Sequence, residues 1–103
     1  MVNWTNPLRY LDVSYTHFSG ELLKSIGNLK FLRYLWLDGC NFSGPIPASL
    51  GNLTQLTALG LSNNHFIGEI PSSLSNLKEL PDLDLSQNNF NGKLSSSLSV
   101  GNA

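Results

Sequence analysis

A single step of 24 residues runs through this chain, and nothing else in the sequence limits its fold as much. Leu8, Leu32, Leu56 and Leu80 keep that step. So do Leu11, Leu35, Leu59 and Leu83, then Val13, Leu37, Leu61 and Leu85. Phe18, Phe42, Phe66 and Phe90 follow it, as do Gly20, Gly44, Gly68 and Gly92. Leu22, Ile46, Ile70 and Leu94, and then Ile26, Leu50, Leu74 and Leu98, complete seven columns. A period of this length is the mark of a stacked array, in which each unit is too small to bury its own apolar side and its neighbours bury it instead. The 103 residues therefore read as repeats at about 8–31, 32–55, 56–79 and 80–103, after a lead-in at 1–6.

The third unit shows what one repeat must do. In Leu56-Thr-Ala-Leu59-Gly-Leu61-Ser, the alternation around Leu59 and Leu61 predicts a short half-buried strand, with Ala58, Gly60 and Ser62 on the opposite face. Asn64 follows, placed to bond the backbone of its own turn and of the neighbouring one. Its equivalents are Thr16, Cys40 and Asn88, so this internal ladder is expected to be weakest at Cys40, whose thiol is a poor donor. Phe66 is then expected to plug the core, Gly68 to allow a tight bend, and Pro71 to pin the backbone. The return path through Leu74 and Leu77 has room for only a short 3₁₀ or helical turn.

The unit L-x-x-L-x-L-S-x-N-x-F-x-G-x-I-P-x-x-L-x-N-L closely resembles the plant-specific leucine-rich repeat over residues 7–100, through Gly44-Pro-Ile46-Pro47 and Gly68-Glu-Ile70-Pro71. The resemblance implies an α/β solenoid, a segment of a right-handed horseshoe. It would carry a concave parallel β-sheet, short turns on the convex side and a second β-sheet built from the Gly-x-Ile-Pro segment. Gly20-Glu-Leu22-Leu23 and Gly92-Lys-Leu94-Ser95 lack the proline, so the second sheet is expected to be less regular in the first and last repeats. Asp38-Gly-Cys40-Asn-Phe-Ser-Gly44 and Ser25-Ile-Gly-Asn-Leu29 are similar to ectodomains of plant disease-resistance receptor-like proteins. That likeness implies a peptide, protein or glycan ligand, a partner receptor kinase, and a parent at the extracellular face of the plasma membrane. Soluble polygalacturonase inhibitors and spacer repeats of receptor kinases carry nearly the same unit. The paired-cysteine cap of the family is missing ahead of the first repeat, as is a C-terminal cap, so the chain reads as a slice of a longer array with open, association-prone ends.

Charge narrows the partners. Six Lys+Arg against seven Asp+Glu leave a net charge of -1, which argues against nucleic acid or an anionic membrane. No stretch reaches the ~18 apolar residues of a membrane span. The recognition surface implied by the repeat is the outward side of the strands. Its columns are Tyr10, Tyr34, Ala58 and Asp82, then Asp12, Trp36, Gly60 and Asp84, then Ser14, Asp38, Ser62 and Ser86, with Tyr15, Arg33 and Asn63 beside them. Four strands offer a strip about 15 Å wide. Its aromatics gather in the first two repeats, and Tyr and Trp are favoured interface anchors. The bland alternative is that Trp36 packs on Tyr34 or Tyr10 and only stabilises the sheet.

An enzyme reading would pair Asp12 with Asp38 as acid and base, but open strand positions leave carboxylates solvated rather than perturbed. His17 and His65 lie two repeats apart, too far for one metal, and Cys40 has no partner for nucleophilic chemistry, so neither a metal nor a cofactor is expected. Three N-x-[ST] sequons, at Asn3, Asn41 and Asn52, would suit an extracellular surface. Asn52 shares its column with Asn28 and Asn76, which have no sequon, so the repeat alone accounts for its presence.

Overall fold

In a computed structural model that describes residues 7–81 and 83–90, each of the first three repeats contributes one strand to each of two parallel sheets and a 3₁₀ turn. The concave sheet holds β1 (Tyr10–Asp12), β3 (Tyr34–Trp36) and β5 (Ala58–Gly60) in the order β1-β3-β5. Its register pairs Tyr10 with Tyr34 and Ala58, and Asp12 with Trp36 and Gly60. The second sheet holds β2 (Ser19–Glu21), β4 (Asn41–Pro45), β6 (His65–Gly68) and β7 (Asn89–Phe90). The convex turns η1 (Lys24–Asn28), η2 (Ala48–Asn52) and η3 (Ser72–Asn76) are all 3₁₀. The leucine-rich repeat solenoid expected from the period is the observed fold.

The core lies between the two sheets and the turns. Leu35, Leu37, Leu59 and Leu61 enter it from the strands, and Leu50, Leu53, Leu74 and Leu77 from the turns. The phenylalanine column forms one continuous stack. Phe18 to Phe42 is 6.4 Å, Phe42 to Phe66 is 6.0 Å and Phe66 to Phe90 is 6.4 Å between centroids, all with near-parallel rings. Burial along the column is uneven. Phe66 is fully buried, whereas Phe18, covered on one side only, is 52% exposed.

At the first repeat the second sheet keeps its pairing, with β2 shorter than β4 and β6. β2 pairs with β4 although its repeat lacks the proline, because Leu23 adopts φ -79 and ψ 155, close to the -71 and 141 of Pro47. Proline presets that conformation, and leucine reaches it under tertiary packing. The last repeat joins through β7, and its Gly92-Lys-Leu94-Ser95 segment lies outside the described residues. Among the described residues its concave segment meets β5 in one bridge, from Gly60 to Asp84, and Asp82, where that segment begins, lies outside the described residues. Arg33 N–H donates to the Arg9 carbonyl and Thr57 N–H to the Arg33 carbonyl, both at 2.8 Å. Pro81 stands next in that column and has no N–H to offer Thr57.

On the convex side the turns stack backbone to backbone. Ser49 Oγ donates to the Lys24 carbonyl at 2.6 Å, and Ser73 Oγ to the Ala48 carbonyl at 2.7 Å. A Cβ on Gly27 would lie 2.7 Å from the Ser49 carbonyl oxygen, so this spacing requires glycine.

Candidate functional site

The side chains on the outer face of the concave sheet are the candidate site, and the ladder beneath them holds the strands in place. Asn64 is buried. Its Nδ2 donates to the carbonyls of Leu37 at 2.8 Å, Ser62 at 3.1 Å and Leu61 at 3.3 Å, while its Oδ1 accepts from Phe42 N–H at 3.2 Å. Asn88 repeats the pattern with Leu61, Ser86 and Leu85, and with Phe66 N–H. At Cys40 the thiol donates to the Val13 carbonyl at 3.0 Å but has no second arm of the kind that Asn64 extends to Phe42. Thr16 Oγ1 donates to the Val13 carbonyl of its own repeat at 2.6 Å and reaches the next repeat only through a long contact with Cys40 Sγ, at 3.8 Å.

On the strip itself, Tyr10 and Tyr34 stand side by side, their centroids 5.6 Å apart and their planes tilted by 45°. Both stay open to solvent, at 56% and 41% exposure. Trp36 does not pair with either tyrosine. It leans over the next strand, where a Cβ on Gly60 would sit 2.7 Å from its Cε3. This half-buries Trp36 and buries Gly60. Its indole is therefore fixed by a glycine notch, which a column-by-column reading of the sequence does not reveal.

The carboxylates follow a related rule. Asp12 Oδ1 accepts both the backbone N–H and the hydroxyl of Ser14, and Asp84 Oδ1 accepts the same two groups of Ser86. Repeat three has Gly60 where that aspartate would stand. Asp38 reaches across from repeat two instead, and its Oδ1 accepts Ser62 N–H at 3.1 Å and Ser62 Oγ–H at 2.7 Å. The carboxylate of Asp38 lies over Gly60, so no larger residue fits beneath it. The Ser14 hydroxyl, then its N–H, hold the Asp12 carboxyl below the ordinary carboxylate range, and Ser86 does the same for Asp84. A general acid needs a shift in the opposite direction, so these carboxylates are built as fixed negative charges rather than as proton carriers.

Tyr15 and Asn63 occupy a column with positive φ, at 56° and 59°, shared with Gly39 and Gln87. Tyr15 is 74% exposed, yet one side of its ring covers Gly39. Arg33 is exposed at the entry to β3, and Asn41 and Asn52 are both exposed. Asp82 and Asn3 lie outside the described residues. A second concavity, of about 410 Å³, is lined by Leu22, Leu23, Ile26 and Leu29 on the outer side of the first repeat. Among the described residues no helix is long and apolar enough to cross a membrane, and no three of His, Cys, Asp and Glu come together as metal ligands.

Comparison with known proteins places this geometry. Residues 3–99 match the family model described as a leucine-rich repeat region. A search of curated proteins finds no match. Among solved structures, the Arabidopsis thaliana BIR3–SERK2 complex is similar at TM-score 0.83 and 35% identity, over 92% of this chain and 55% of that one. The Arabidopsis receptor kinase HAESA, in complex with the peptide hormone IDA and the co-receptor SERK1, gives TM-score 0.77 and 37% identity, over 88% of this chain and 15% of that one. A plant ice-binding protein gives TM-score 0.83 and 34% identity, over 91% of this chain and 31% of that one. The chain thus spans about half the length of the first of these and far less of the others.

Proposed function

The chain belongs to the leucine-rich repeat family, and from that premise we propose that it is a non-enzymatic recognition module whose concave strip binds an extended peptide. In this reading it forms part of the ectodomain of a plant receptor-like protein at the extracellular face of the plasma membrane. A co-receptor kinase would be a partner of the parent, and Asn3, Asn41 and Asn52 would be its glycosylation positions. The HAESA complex supports the reading, since that ectodomain of the same repeat type is held with a peptide hormone and a co-receptor. The likeness to an ice-binding protein means that the repeat alone does not decide function, so the side chains of the strip must.

The observation that carries the proposal is the open aromatic row: Tyr10 and Tyr34 paired and exposed, with Trp36 seated beside them over Gly60. Tyr and Trp bring large contact area at little entropic cost, and an indole already held in place loses less on binding. An ice-binding surface would instead call for an unbroken column of small hydroxyls, and Asp38 interrupts the column of Ser14, Ser62 and Ser86. A soluble inhibitor of cell-wall-degrading enzymes would use the same strip. It differs from a receptor fragment in the chain that surrounds these repeats.

Panning a random dodecapeptide display library on the immobilised chain tests the proposal. Selected clones are expected to lose at least about tenfold in affinity on the Tyr34→Ala/Trp36→Ala double variant, as hot-spot aromatics do. Its far-ultraviolet spectrum should stay unchanged. Clones that bind the double variant as well as the parent chain would assign the strip to structure alone.

A further inference from the structure

At the downstream end of β1 and β3, the Trp36 indole and the Asp38 carboxylate meet over Gly60, with Asp12 beside them on the neighbouring strand. Tyr15 covers Gly39 and Trp36 covers Gly60, so each ring rests on a glycine of the following repeat. Tyr15 takes there the positive φ, 56°, that its column has in all four repeats. Asp12 is the register partner of Trp36, and Asp38 shares the notch over Gly60 with the indole.

The hydrogen-bond inventory then selects the guest. The hydroxyls of Ser14 and Ser62 are already given to Asp12 and Asp38 through Oδ1, which leaves the Trp36 indole N–H and the Tyr15 hydroxyl as the donors of these residues. What these pairs still present is acceptor capacity on fixed, negatively charged groups. A sugar hydroxyl, which both donates and accepts, uses such a surface poorly. A guanidinium, which carries five donors and no acceptor and stacks flat on aromatic rings, uses it fully. Position along the strand agrees, since Arg9 and Arg33 stand about 10 Å away, three residues upstream of Asp12 and Trp36, and would repel a cation placed there.

We propose that this corner of the concave strip is the seat of a basic side chain, an arginine of an extended peptide stacked on Trp36 against the carboxylates of Asp12 and Asp38. The proposal rests on the recognition reading above and names the ligand class within it. Lysine fits the charge but lacks the planar stack, and is the weaker guest.

The experiment uses the full chain and blocked pentapeptides Gly-Gly-X-Gly-Gly, with X as arginine, lysine, citrulline, glutamate or phenylalanine, read on the assigned indole N–H resonance of Trp36. The arginine peptide is expected to bind at least about tenfold more tightly than its neutral isostere citrulline, with lysine between them. Asp38→Asn and Asp12→Asn should each move arginine toward the citrulline value. Raising the salt should do the same. Equal binding of citrulline and arginine, a preference for glutamate, or displacement of the arginine peptide by cellotetraose would overturn the proposal. If neutral or acidic peptides shift Trp36 and lose that effect on Tyr34→Ala, peptide recognition stands and only the basic guest falls. If no peptide shifts Trp36 at millimolar concentration, both fall.

Discussion

Phe66→Ala is expected to lower the unfolding free energy by about 3–5 kcal/mol in urea melts, while Phe18→Ala costs about 1 kcal/mol. The two residues are the same type in the same column, so any difference comes from their surroundings. Phe66 is fully buried, with Phe42 stacked on one side and Phe90 on the other. Truncating it leaves a cavity that the rigid strands around it cannot close. Phe18 is half exposed and has a single stacking neighbour, Phe42. An array holds together through nearest-neighbour interfaces, so the middle substitution weakens two of them at once. Total stability for a chain of this size is about 5–15 kcal/mol, and the larger loss is a substantial share of it. Equal losses at the two positions would mean that the stack is not what couples the repeats.

Asn64→Leu is expected to cost nearly as much, by a different route. Leucine fills about the same space, so no cavity opens, but the buried Phe42 N–H and Leu37 carbonyl lose their partners. Leaving a buried polar group unsatisfied costs about 1–3 kcal/mol, which places the sum for the two groups at about 2–6 kcal/mol. The reciprocal change, Cys40→Asn, supplies the missing second arm toward Phe18 and is expected to stabilise the chain by up to about 1 kcal/mol. Amide exchange separates the two accounts: Asn64→Leu should speed exchange most at Phe42, since that N–H is the one released. An unchanged rate there would contradict the ladder.

The columns that repeat every 24 residues were enough to predict the strands, the convex 3₁₀ turns and the buried leucines, because each of those depends on one position recurring in one environment. The details of the candidate site depend on something else. Trp36 over Gly60, Tyr15 over Gly39, and Asp38 standing in for an aspartate that repeat three lacks are diagonal relations between columns. A reading that follows each column separately does not see them, although the pairing of a large residue in one repeat with a glycine in the next was a visible signal. Pro81 was visible too. Its meaning required knowing that the residue at this position donates the first bond between neighbouring concave strands. The exposure of Leu8 and Phe18 belongs to the same class, since identical residues in one column are covered on one side or on both.

The central claim is that the concave strip is a contact surface, and amide hydrogen exchange with a display-selected peptide tests it most directly. The account predicts slowed exchange at Tyr10–Asp12, Tyr34–Trp36 and Ala58–Gly60 and at the turn amides of Ser14 and Ser62, with the convex turns unchanged. Protection confined to Lys24–Asn28 and Ala48–Asn52, or to the second sheet at Asn41–Pro45, with the concave strands unaffected, would contradict it.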